Sequence, residues 1–389
     1  MADGGRSGAH PVTGLPDRAR IAWIAETGFP VHGTPVLADD TLLAGDSIGR
    51  VHAFDAATGE RRWRSPDEDH TPGPGYDVFT TAVDVWRDQV VVGVCDGTGY
   101  FDGLADAGYD GEELDDGEVG ILDLRSGALL RKVGRGGYPA VVGDTLLLIG
   151  LNSGVRALSL PDLTPLWWNK KAEGCVQTAP ATGPDGLLCL SCGWEGNRTH
   201  GGILALDLRT GKRRFRYSPQ EESYGDNPPH ATVAEGLIWK PVHRSTDQIV
   251  GLDPLTRKPR WRHRVRPGSP SGSVAVADGR VYFATHGDEP AVHAVDIETR
   301  EEVWTRPLPA AGVGTPVFAE GVVYTATSKG TVLALDAATG EPRWSLDTGL
   351  DIDVKEPNDE ALYEETASAV LPTDGTLYVR TATGVVALR

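Results

Sequence analysis

Apolar and polar residues alternate with a period of two along most of the chain, in short runs punctuated by Gly, Asp, Glu and Pro. Such alternation predicts half-buried strands, and the punctuation predicts tight turns between them. Two pairs of runs show the pattern clearly: TPVLADDTLLAGD (Thr34 to Asp46) and TPVFAEGVVYTAT (Thr315 to Thr327) each read as two strands joined by a two-residue turn, Asp-Asp in one and Glu-Gly in the other.

A second signal follows each strand pair. The unit Ala-x-Asp-x-x-Thr-Gly-x-x-x-Trp stands as AFDAATGERRW (Ala53 to Trp63) and ALDAATGEPRW (Ala334 to Trp344), and as ALDLRTGKRRF (Ala205 to Phe215) with Phe replacing Trp. Degenerate copies begin at Ile121, Ala157, Gly251 and Ala294. In the three full copies a strand ends at an Asp able to accept turn amides, Gly supplies a positive φ, and the next strand carries an aromatic able to dock between units. Four antiparallel strands, A to D, thus recur about every 45 residues, the period of a propeller blade. Seven motifs plus the final segment Thr366 to Arg389 make eight units, and the last lacks an outer strand. ARIAWIAE (Ala19 to Glu26), with Trp23 at the aromatic position, is placed to supply it. The expected fold is an all-β, eight-bladed propeller of four-stranded antiparallel blades over residues 19–389, closed by an N-terminal strand. Residues 1–18 are expected to form a flexible tail, and removal of 1–15 to be harmless.

Composition narrows the partners. Fifty-five acidic against 37 basic residues give a formal net charge of −18, which opposes nucleic acid and anionic membranes. One basic run stands out, Arg257, Lys258, Arg260, Arg262, Arg264 and Arg266, read as an exposed edge strand whose charges resist edge pairing. No secretory leader or span of 18 apolar residues is recognisable. The expectation is a cytoplasmic, monomeric protein. Four cysteines make no disulfide framework, and Cys189 and Cys192, three apart on a strand, should point to opposite faces and pack in the core.

The Ala-x-Asp-x-x-Thr-Gly-x-x-x-Trp units resemble the repeats of the PQQ-like β-propeller superfamily, over nearly the whole chain from Ala19. That group includes quinoprotein alcohol dehydrogenases, the outer-membrane assembly lipoprotein BamB and sensor domains of bacterial kinases. The resemblance implies the eight-bladed fold and leaves the function open. The quinoproteins hold their cofactor beside an adjacent Cys-Cys pair, and no two cysteines here are neighbours. No organic cofactor is therefore expected, PQQ least of all, while a divalent metal stays open.

In a four-stranded blade the B–C and D–A connections share one end of the ring. The long, irregular segments all fall there: Ser65 to Tyr76, Asp96 to Glu118, Gly193 to Gly202, Pro219 to Pro229 and Asp347 to Glu365. Long loops in an economical repeat are where binding is expected. Aligning the units gives two rings of equivalent positions at this end. One, at the end of strand B, reads Ser47, Cys95, Leu151, Gly193, His243, His286, Ser328 and Ala382; the other, near the start of strand A, reads Thr34, Ala82, Tyr138, Ala179, His230, Ser273, Thr315 and Ser368. His230, His243 and His286, able to exchange a proton near neutral pH, form the expected core of a site spanning blades 4 to 6. His32, Gln177, Trp194, Tyr224, Asp226, Arg244, Tyr363 and Glu365 are expected around them. His52 and His293 share a position in strand C and read as repeat filler. The segment Asp96 to Glu118, with nine carboxylates and no Lys or Arg, fits either an acidic lid or docking loop or a calcium site without the EF-hand spacing.

Two functions of different class fit these features. The first is a binding module that takes a small molecule, peptide or protein partner in the funnel of the long-loop face. The second is an enzyme free of organic cofactor, a lyase, cyclase or hydrolase of specialised metabolism, using the funnel histidines as acid and base. No nucleophile elbow, Walker loop, dinucleotide fingerprint or HExxH motif is present.

Overall fold

The computed structural model describes residues 8–31, 33–66, 79–95, 117–135, 137–150, 153–172, 178–195, 198–218, 230–242, 247–266, 268–352 and 367–389. They form eight antiparallel sheets arranged as a propeller. Blade 1 runs Val36–Ala38, Thr41–Gly45, Val51–Asp55 and Arg61–Ser65 from channel to rim. Blade 4 is Ala181–Gly183, Leu187–Glu195, Arg198–Asp207 and Arg213–Tyr217; blade 5 is Thr232–Ala234, Leu237–Val242, Gln248–Leu252 and Pro259–Arg264. In blade 6 strand A is split, Ser269–Pro270 and Ala275–Ala277 both pairing with Arg280–His286.

Ring closure follows the expected route. Ile21–Glu26 pairs with the C-terminal strand Gly384–Leu388, Ala25 opposite Val385 and Glu26 opposite Gly384. Arg20 and Arg389 exchange backbone hydrogen bonds at 2.9 and 3.0 Å, so the last blade has no bare edge on its C-terminal strand.

The repeat motif acts between blades as well as within them. The turn Asp accepts backbone amides, as Asp55 Oδ1 does from Ala57 and Thr58 at 3.0 and 2.9 Å. The strand D tryptophan then crosses to the C–D turn of the next blade. Trp63 Nε1 donates to the Leu124 carbonyl at 2.9 Å, Trp167 to Leu208 at 2.8 Å and Trp304 to Ala337 at 3.0 Å. The motif glycine is required there because the indole occupies the space of a side chain. A Cβ on Gly211 would lie 2.2 Å from Trp167, and its φ is +65°.

Blade 8 takes its strand D from Ile21–Glu26 and so has no such turn; residues 8–18 stand in its place. Residues 8–18 lie across blades 7 and 8. Phe318 and Gly8 share a backbone bond at 2.7 Å, Thr13 takes the Asp374 carboxylate at 2.8 Å, and Trp344 Nε1 donates to the Pro16 carbonyl at 2.9 Å. The strap thus supplies the acceptor that a C–D turn provides elsewhere, and Val12 and Leu15 pack on the core beneath it.

The two strand C histidines are interior groups, as their shared repeat position suggests. His52 is fully buried with Nε2 2.8 Å from Asp46 Oδ2; His293 is buried, 3.0 Å from Glu302 Oε2, and stacked on Phe283 at 4.8 Å. Burial holds the pKa of both, and of His263, below the ordinary value. Between that value and the depressed one the unfolded chain binds more protons than the folded one, so stability drops as pH falls. The melting temperature is expected to fall as pH is lowered from about 6.5 to about 5, before carboxylates titrate. A melting temperature constant over that interval would refute the assignment.

Candidate functional site

The five long segments attach at one end of the ring, at B–C and D–A junctions. Their residues 67–78, 96–116, 196–197, 219–229 and 353–366 lie outside the described residues, as do His32, Gln177, Tyr224, Asp226, His243, Arg244, Tyr363, Glu365 and the side chain of Trp194. His230 and His286 are described, and the two differ. His230 is buried just ahead of strand A of blade 5, its carbonyl accepting the Ser273 hydroxyl at 2.8 Å. His286 is exposed at the end of strand B of blade 6, with Ser269–Pro270 along its channel side.

The strand A ring proves to be stitching between blades. Besides its bond to His230, the Ser273 hydroxyl lies 3.1 Å from Thr232 Oγ1, while the Ser273 amide donates to Thr315 Oγ1 at 2.9 Å. Thr34 Oγ1 donates to the Ser368 carbonyl at 2.8 Å, joining blades 1 and 8. Backbones meet closely on this lip: a Cβ on Gly314, whose φ is +65°, would fall 1.9 Å from the Ala367 carbonyl oxygen. The strand B ring holds the incoming D–A connection through its amides. Ser47 donates to Pro30 at 2.8 Å, Ser328 to Ala311 at 2.9 Å and Ala382 to Asp351 at 2.8 Å.

The most unusual polar group on this side is one the histidine pattern did not reveal. Lys240, in strand B of blade 5, is fully buried, and its Nζ donates to Ser191 Oγ of blade 4 at 2.8 Å. Alternation explains the meeting. Trp239 and Leu237 face blade 6, while Ile238 faces blade 4 and packs with Leu187 and Cys189. One further step along each strand brings Lys240 and Ser191 together at the long-loop end of that apolar layer. Burial holds the Lys240 ammonium down at about 7. The signal was present in the aligned units, where the equivalent positions are Ala44, Val92, Leu148, Leu190, Phe283, Thr325 and Val379. Two more buried cations occupy the same end, Arg50 beside the B–C turn of blade 1 and Arg380 in strand B of blade 8, whose guanidinium donates to the Val31 carbonyl at 3.2 Å. Against them Asp46 is the one buried carboxylate among the described residues.

Cys189 and Cys192 are buried on opposite faces of blade 4, Cys189 in the layer shared with blade 5 and Cys192 in the layer shared with blade 3. Burial pushes the Cys189 thiol up to about 12. Neither sits where the pair could act together on a metal or a redox partner, and among the described residues no cluster of three metal-ligating side chains occurs.

Comparison with known proteins shows what the chain is similar to. The family model described as outer membrane protein assembly factor BamB matches residues 245–389. BamB from Moraxella catarrhalis superposes with a TM-score of 0.64 at 16% identity, covering 95% of this chain and 97% of that one. The chain is an eight-bladed β-propeller with a PQQ-like family match over its C-terminal part. Quinohemoprotein alcohol dehydrogenase from Comamonas testosteroni superposes at TM-score 0.70 and 15% identity over 99% of this chain and 79% of the other. In sequence, polyvinylalcohol dehydrogenase of Sphingopyxis is 24% identical over 229 residues, 54% of this chain. The matched part spans a third or less of the curated relatives' length. Likeness at these identities carries the propeller fold and leaves the chemistry to the residues of this chain.

Proposed function

We propose that this PQQ-like propeller is a binding module that takes a small organic anion at the channel mouth on its long-loop face, in the sector of blades 4 and 5. The observation that supports it is Lys240. Lys240 is fully buried at the long-loop end of an apolar layer, burying a charged group is costly, and strongly shifted groups gather at functional sites. A carboxylate beside Lys240 would return the amine to its charged form and fix ligand orientation by a charge-assisted hydrogen bond. His230 lies at the start of the neighbouring strand, and the buried Arg50 and Arg380 add positive potential at the same end.

The dehydrogenase relatives raise the question of a quinone cofactor. The residues do not fit the adjacent cysteine pair of that group: the two closest cysteines are three positions apart and face different blades. No step is derived through it.

Thermal-shift screening against small mono-, di- and tricarboxylates, each paired with its neutral amide, tests the reading. At least one carboxylate is expected to raise the melting temperature where its amide does not, with proton uptake on binding seen by calorimetry in buffers of different ionisation enthalpy. Stabilisation equal for acid and amide, or retained in Lys240→Met, would overturn it.

A further inference from the structure

The basic run of blade 5 is left over from both the fold and the channel mouth. Strand D, Pro259–Arg264, is the rim strand and pairs only with Gln248–Leu252, so its outer hydrogen-bonding edge is unpaired among the described residues. Its two faces differ sharply. Trp261 is buried against Val281 and Phe283 of blade 6, His263 lies 6.2 Å from Phe283, and Val265 is buried on the same side. The alternate residues Arg260, Arg262, Arg264 and Arg266 are exposed on the side towards blade 4. Blade 4 answers with Phe215 and Tyr217, which pack on the layer between the two blades.

At three other rims the arginine just before the strand D aromatic is neutralised. Arg62, Arg214 and Arg343, each just before the strand D aromatic, are tied to the turn carboxylates Asp55, Asp207 and Asp336 at 2.7, 2.7 and 2.9 Å. Arg260 holds that position in blade 5. Arg262, Arg264 and Arg266 lie beyond it and form no ion pair among the described residues, Arg262 making only a 3.2 Å bond to Gln248. Arg262 and Arg264 thus stand unneutralised about 7 Å apart along one side of an open strand, with Arg266 just past its end, in a chain of net charge −18.

We propose that this rim accepts an acidic partner segment in extended conformation, added as a fifth strand, with carboxylates at alternating positions opposite Arg262, Arg264 and Arg266. Strand addition satisfies the open backbone edge, and cross-strand pairing sets opposite charges about 5 Å apart between directly opposed residues. An incoming strand has the same period of two, so a segment reading acid-x-acid-x-acid meets all three arginines from one face. A nucleic acid would meet the charges but not the backbone edge, and the overall charge opposes a long polyanion.

Fluorescence anisotropy with a labelled octapeptide alternating Glu or Asp with Val or Thr is the test. Saturable binding is expected, weakened by salt, reduced at least about tenfold in Arg262→Glu/Arg264→Glu of unchanged melting temperature, and largely kept in Arg262→Lys/Arg264→Lys. A peptide of the same composition with its acids in one block, and one N-methylated at alternate backbone nitrogens, are expected to bind at least about tenfold more weakly. Equal binding by either, or by oligo-dT, would make the rim a simple polyanion patch and overturn strand addition. Absence of saturation by the alternating peptide up to about 1 mM, an affinity of only about 4 kcal/mol, would do the same.

Discussion

Deleting residues 1–26 is expected to leave no folded protein. The cut removes the strand Ile21–Glu26 and opens the edge of Gly384–Leu388, whose Val385, Ala387 and Leu388 are fully buried. It also removes Trp23, which packs with Tyr378 at 5.7 Å between ring centroids and lies over Gly59 of blade 1. Losing this burial and one full set of inter-strand bonds exceeds about 5 kcal/mol, a large share of an ordinary domain's stability, and the bare edge invites association between chains. Deleting residues 1–18 is the informative control. It removes the strap and its bonds to Phe318, Asp374 and Trp344 but keeps the closing strand. A folded product destabilised by about 1 to 3 kcal/mol is expected, measured by chemical denaturation. A fully stable 1–26 deletion would refute closure by that strand, and a 1–18 deletion as stable as the full chain would refute the strap.

Lys240→Met is expected to stabilise the protein while abolishing ligand stabilisation. Below pH 7 the wild type carries a buried ammonium, and replacing such a charge by an apolar side chain of similar volume is expected to gain about 1 to 3 kcal/mol after the loss of one hydrogen bond to Ser191. The pH dependence has a definite sign. From about 7, where the folded amine titrates, to about 10.4, where the unfolded one does, the folded state binds fewer protons, so wild-type stability rises with pH. The rise is on the order of 5 kcal/mol at about 1.4 kcal/mol per pKa unit. Above about 10 the buried phenols oppose it: Tyr324 is pushed up to about 12 by burial, and Tyr282 and Tyr378 are also raised. The unfolded chain then loses those protons first. The difference between wild type and variant isolates the lysine: the variant's advantage is expected to fall steadily from about pH 7 and to reverse before about pH 10. A constant difference would mean that Lys240 titrates normally.

How much of this could be read from residue order depends on whether a feature has a period. The strand D tryptophans, the turn Asp residues and the closing strand all repeat, and a repeating constraint leaves a repeating trace. The opposite facing of Cys189 and Cys192 followed from alternation alone. Residues 8–18 escaped because they are held by single backbone bonds and by Asp374 and Glu320, contacts without any pattern along the chain. The inner Ser and Thr positions were recognised as equivalent, but their hydroxyls serve the neighbouring blade, which no single unit reveals. Lys240 was legible in the aligned units as a charge at an interior position, yet residue types associated with proton transfer drew the reading towards strand-end histidines. Of those, His230 and His286 are described, one buried and one exposed on different blades.

The amine between blades 4 and 5 is the central group of the proposed site. Eight lysines occur in the chain, few enough to be resolved in protein labelled with carbon-13 at the lysine Cε. Titrated by NMR from about pH 5.5 to 10.5, one resonance, absent from Lys240→Met, is expected to move near 7 and to shift upward when a stabilising carboxylate is present. No resonance moving near 7, or one there that no carboxylate displaces, would contradict the proposed site.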